Sequence, residues 1–94
     1  MSEQSFTIQH NPGESRFSTV VDGHPAELDY RRHEGYMAIE HTIVPGAIGG
    51  RGIAGALVRA ALEYARAQGL KVVPACSYAA QFIQRHPEYA DLVR

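Results

Sequence analysis

Long apolar stretches, a second cysteine and an excess of either charge are missing from this sequence, and each absence removes a class of protein. Uninterrupted apolar runs stop after a few residues, as at Ile53-Ala54 and Val72-Val73, whereas a bilayer-spanning helix needs about 20. A membrane is therefore not an expected partner. The first five residues, Met1 to Ser5, have neither the basic region nor the apolar region of a secretory signal, so a cytoplasmic location is expected. The single cysteine, Cys76, rules out an intramolecular disulfide and a multi-cysteine zinc site. It is either a small buried hydrophobe or a reactive thiol. Nine Lys+Arg against ten Asp+Glu give a net charge of -1, without the positive excess that tracks a phosphate backbone. That argues against nucleic acid as a partner. Lysine is nearly absent too: Lys71 is the one lysine among the nine cations. Arginine suits planar recognition of phosphate or carboxylate, so a small anionic ligand stays open.

What remains is an ordinary globular composition, 45% hydrophobic and 20% charged, with a mean hydropathy of -0.24. Ninety-four residues fit one domain, expected over 1–94, because most domains have between about 50 and 250 residues. The first half alternates. Strands are expected over 6–10, 16–21, 26–31 and 36–44, separated by turn signals at Asn11-Pro12-Gly13, Asp22-Gly23 and Gly35. Alternation along the fourth puts Met37, Ile39, His41 and Ile43 on one face and Ala38, Glu40 and Thr42 on the other. From Gly50 to Gln68 the period becomes helical, with Ile53, Leu57, Ala61 and Tyr64 in one stripe and Gly69 at the expected left-handed cap. A short buried strand over 70–73 follows, parallel to the fourth by a right-handed crossover. The last helix is expected over 78–85, with Ser77 as N-cap and Pro87 as stop. The fold class is α+β: an antiparallel four-strand meander, one βαβ unit and a final helix.

The densest chemical signal is Gly46-Ala47-Ile48-Gly49-Gly50-Arg51-Gly52-Ile53-Ala54-Gly55, between a strand and a long helix. The first amides of a helix lack intrahelical acceptors and sit at the positive end of its dipole, so with glycines to admit a ligand they fit phosphate. A merely flexible loop is the alternative. The segment is neither a dinucleotide-binding G-x-G-x-x-G nor a Walker loop, since no Lys-Ser/Thr follows.

In these residues the chain resembles the GNAT superfamily of acyl-CoA-dependent N-acyltransferases, whose signature is Arg/Gln-x-x-Gly-x-Gly/Ala between a long strand and a helix. Gly52 and Ala54 fill its last two places and Gly49 replaces the Arg or Gln. The order of elements agrees over nearly the whole chain, in the minimal form without helices between the first two strands. The resemblance implies a fold with splayed fourth and fifth strands and a small acetyl-CoA-dependent N-acetyltransferase. Backbone amides of Gly49, Gly50, Arg51, Gly52, Ile53 and Ala54 would then hold the pyrophosphate, with Arg51 adding charge unless it is a plain surface arginine. The backbone of Ile43 and Val44 would receive the pantetheine arm by β-augmentation, and Tyr78 would pack against it.

Larger members carry Asn-x-x-Ala-x-x-Phe-Tyr after the fifth strand. Ala79 and Phe82 match, but Cys76 replaces Asn and Ile83 replaces the Tyr that protonates the departing thiolate. Cys76, expected beside the thioester just ahead of a helix, is a candidate nucleophile or a pocket-lining residue. His41 is a candidate base for the acceptor amine or a hydrogen-bonded core histidine. The other histidines show no ligand spacing, so no metal is expected. The acceptor is an amine of a small molecule or a protein lysine, and a partner or a second copy of the chain, a homodimer, is left to wall its pocket. Two alternatives remain: an acyl-CoA-binding module with little turnover, and a KH-like RNA-binding domain, because Ile48-Gly49-Gly50-Arg51-Gly52 also fits the I-G-x-x-G loop.

Overall fold

Alternation in the first half gives four antiparallel strands, β1 (Gln9–Asn11), β2 (Arg16–Val21), β3 (His24–His33) and β4 (Tyr36–Ile43), in a computed structural model that describes residues 6–94. The expectation for the first five residues lies outside the described ones. Asp22 and Gly23, both at positive φ (50° and 77°), make the tight turn whose twist matches a hairpin. β1 is shorter and later than the 6–10 expected. Its pairing begins with Gln9 opposite Ser18; His10 then stands opposite Phe17 and the two rings stack at 4.0 Å, while Phe6 and Ile8 pack on the core ahead of it.

The 16-residue helix α1 (Ile53–Gln68) buries Ile53, Leu57, Val58, Ala61, Leu62 and Ala65, each large side chain contributing about 1.5–3 kcal/mol by leaving water. Gly69, at φ 71°, closes it with the Leu70 N–H on the Ala65 carbonyl at 2.8 Å, and β5 (Lys71–Pro74) joins β4 in parallel. Helix α2 (Ser77–Arg85) is capped by Cys76 rather than by the expected Ser77, and Ser77 begins the helix itself. A 3₁₀ segment (Pro87–Leu92) buries Tyr89 and Leu92, and Val93 then bridges Val72 in parallel. Strand order is sequential, β1 to β5. Both helices contribute to the one core cluster and touch where Gly55 of α1 meets Phe82 of α2. Among the described residues no helix covers the other sheet face, where Val20 stays 64% and Ile43 54% exposed.

One irregularity re-phases β4. Asp29 pairs with His41 but Tyr30 pairs with Ile39, so Glu40 is an extra residue, a β-bulge. Beyond it the faces exchange: Thr42 lies opposite the fully buried Leu28, and His41 and Ile43 turn to the open face. The expected grouping of His41 and Ile43 with Met37 and Ile39, and of Thr42 with the opposite face, is thereby corrected. Glu40 pairs with Arg31 at 3.4 Å.

The imidazole of His10 sits between Phe17, Tyr30 and Tyr64, with Nε2 2.6 Å from the Tyr30 hydroxyl. Burial lowers its pKa. The unfolded chain then binds a proton more readily than the folded one, so this stabilisation is complete above the ordinary histidine pKa of 6.5 and fades as pH falls through it towards the folded value. Melting temperature measured between about pH 7 and pH 5 is expected to fall less in His10→Gln than in the parent. Equal slopes would show that His10 does not carry the effect.

Candidate active site

The site forms where β5 leaves β4. Their ladder runs from Tyr36 opposite Lys71 to Ile39 opposite Pro74. Proline has no N–H to extend it. Ala75 instead donates to the Val73 carbonyl at 3.0 Å and Cys76 to the Ile39 carbonyl at 3.0 Å, which turns the chain into α2. Past Ile39, β4 keeps β3 on one side and, among the described residues, has no strand on the other. That is the splay of the fourth and fifth strands.

The glycine segment closes the far end of this gap. A 3₁₀ turn (Gly46–Ile48) buries Ile48 completely and anchors the loop. Gly50 and Gly52 then take φ of 79° and 75°, a conformation that an L-residue adopts only at a cost. Gly52 is the N-cap of α1. The first backbone bond of the helix runs from the Ala56 N–H to the Gly52 carbonyl, so the N–H groups of Ile53, Ala54 and Gly55 have no intrahelical acceptor. Among the described residues no side chain caps them, and no acidic residue stands in the first turn. Ile53, Ala54 and Gly55 line a cavity of about 270 Å3, with Val44, Ile48 and Tyr78 also on its walls. Gly49, Gly50 and Gly52 line it too.

Arg51 does not line the cavity. Its guanidinium reaches the β2–β3 turn and pairs with Asp22 at 2.7 Å. Cys76 is partly buried, with Sγ 3.6 Å from the Thr42 hydroxyl. His41 is exposed and stands on the open sheet face. The structure thus brings together Val44, the glycine segment and Tyr78 around one cavity, sets Cys76 at the start of α2, and leaves the side chains of His41 and Ile43 outside. Phe82 is 7% exposed and belongs to the core.

Two residues escape sequence reasoning. Thr42 reaches Cys76 through the bulge, which strict alternation does not reveal. Gly55 did carry a signal, a glycine inside a helical pattern, which often marks a close approach. A Cβ there would lie 3.4 Å from the Tyr78 hydroxyl and 3.5 Å from the Phe82 ring. Among the described residues no group of histidine, cysteine and carboxylate side chains could hold a metal, and no helix is long and apolar enough to cross a membrane. The KH-like alternative needs a helix ahead of the glycine loop. β4 occupies that place, and the alternative is set aside.

Comparison with known proteins agrees with this architecture. Residues 16–92 match the family model of the GCN5-related N-acetyl-transferase domain. Protein NATD1 of Xenopus tropicalis is 29% identical over 86 residues, which cover 88% of this chain and 79% of that protein. The mouse (Mus musculus) protein NATD1 is 30% identical over 83 residues, covering 85% and 76%. A solution NMR structure of a GCN5-like candidate N-acetyltransferase from Staphylococcus aureus superposes with a TM-score of 0.75 at 28% identity, over 98% of this chain and 91% of that one.

Proposed function

The chain belongs to the GCN5-related N-acetyltransferase family, and from that premise we propose that it transfers the acetyl group of acetyl-CoA to an amine. The observation that carries this reading is the junction of an anion-fitted helix start with an unpaired length of strand. The amides of Ile53, Ala54 and Gly55, with the glycines at 49, 50 and 52, suit a pyrophosphate. The unpaired side of β4 near Ile43 and Val44 offers backbone groups to an extended amide-bearing arm. Such an arm would direct the thioester towards the gap that Cys76 and Thr42 border.

Cys76 takes the acetyl group first in this reading. Its sulfur attacks the thioester carbon, the bond to the CoA sulfur breaks, and CoA leaves as the thiol. One thiol replaces another, so the exchange does not depend on the tyrosine acid whose place Ile83 fills. The lone pair of a neutral amine then attacks the acetyl-cysteine, the amide forms, and the proton lost by nitrogen restores the thiol. His41 can accept a proton only from an amine arriving at the open face of the sheet.

A thermal-shift titration tests the first step. Acetyl-CoA at about a hundredfold excess over its Kd stabilises the folded state by about 2.7 kcal/mol, a rise in melting temperature of roughly 10–20 °C for a chain of this size. No shift at millimolar concentration would refute the reading. For the covalent step, intact mass after incubation with acetyl-CoA is expected to gain one acetyl group, and Cys76→Ala to gain none and lose transfer. Full transfer by Cys76→Ala would leave direct attack by the amine as the route.

A further inference from the structure

We propose that the Tyr78 hydroxyl is the side-chain hydrogen-bond donor of the phosphate cradle, and that Gly55 is the positioning residue that makes room for it. The inference rests on the acetyl-CoA reading and deepens it. Around the cavity at the start of α1, every lining residue except Tyr78 has an apolar side chain or none. The two loop positions that could have supplied a polar group do not. Residue 49 is glycine, and the Arg51 guanidinium is held away from the cavity by Asp22. Tyr78, in the first turn of α2, enters from the neighbouring helix instead.

Its placement depends on what residue 55 lacks. A Cβ at Gly55 would lie 3.4 Å from the hydroxyl oxygen and 3.5 Å from Phe82. A methyl group there makes ordinary contact, and any longer side chain must displace the phenol. The hydroxyl therefore rests beside the turn whose Ile53, Ala54 and Gly55 amides are unpaired. No hydrogen bond from it to another residue is found among the described residues, and Tyr78 as a whole is 39% exposed. A phenol O–H beside free helix-start amides adds a donor aimed at the same anion, and a bond to a charged oxygen is the stronger kind.

Three probes test it by titration calorimetry: acetyl-CoA, inorganic pyrophosphate and S-acetylpantetheine, which lacks the pyrophosphate. Tyr78→Phe is expected to weaken acetyl-CoA and pyrophosphate about tenfold and to leave S-acetylpantetheine unchanged. Gly55→Val is expected to lose about as much as Tyr78→Phe does. Undiminished acetyl-CoA binding by Tyr78→Phe, or an equal loss with S-acetylpantetheine, overturns the proposal even if Gly55→Val fails to fold. A parent protein that binds pyrophosphate in a Tyr78-dependent way but not acetyl-CoA would refute the acetyl-CoA reading and uphold the cradle. Binding of neither phosphate probe would refute both.

Discussion

Gly52→Val is expected to weaken acetyl-CoA binding about a hundredfold and to destabilise the fold by about 2 kcal/mol. Gly52 holds φ 75° at the N-cap of α1, where a Cβ costs about 1–2 kcal/mol and a β-branched side chain more. Nothing lies within 4 Å of the added Cβ, so the effect is conformational rather than a clash. The backbone relieves itself by rotating, and the Ile53 and Ala54 amides lose their common aim. Two charge-assisted bonds at about 1.5 kcal/mol each account for the hundredfold loss. Gly52→Asn keeps more of both properties, because asparagine tolerates the left-handed region. Gly46→Ala is the control. Gly46 is not at positive φ and its Cβ would meet nothing within 4 Å, so calorimetry and urea unfolding should find it unchanged. A valine variant that binds acetyl-CoA normally would remove the cradle from the account.

The largest loss of stability is expected from Tyr89→Ala, about 3–5 kcal/mol, against the roughly 5–15 kcal/mol that holds a typical domain folded. Tyr89 is 2% exposed. Its hydroxyl donates to Glu63 at 2.5 Å and accepts from Arg59 at 3.0 Å, and the Arg59 and Arg66 guanidinium groups lie over its ring at 5.6 and 5.8 Å. Burial, with the bond to Glu63, raises the phenol pKa and keeps it a donor. The ring pins the 3₁₀ segment to α1, and through it the bridge of Val93 to the edge of β5. Tyr89→Phe keeps the packing and is expected to cost about 1 kcal/mol. Urea unfolding separates the two. Equal losses would assign the anchor to the hydroxyl, and a negligible loss in the alanine variant would leave the segment held by Leu92.

Most of the fold was legible because its signals are local. Asp22-Gly23, Gly35 and Gly69 mark their turns and cap in the sequence, and the stripe from Ile53 to Ala65 announces a helix with one buried face. The glycine segment was legible for the same reason, since φ above zero calls for glycine. The other half of the site was not. Thr42 meets Cys76 only because Glu40 is extruded from the ladder, and a bulge arises from the fit between two strands rather than from either one. Arg51 was expected beside phosphate, and its partner Asp22 lies 29 residues away, beyond the reach of any local pattern. Tyr89 lies beyond the stop expected at Pro87, and its burial depends on helix α1.

The bulge also determines where the chain can change length. Glu40 is supernumerary, so its deletion would cost the pairing with Arg31 and the local bend yet leave Ile39 and Thr42 facing inward and His41 outward. Deleting Ala38, one register step earlier, would invert one end of the strand relative to the other. Along an otherwise rigidly phased strand, the bulge is where a whole codon can be lost without exchanging interior for exterior.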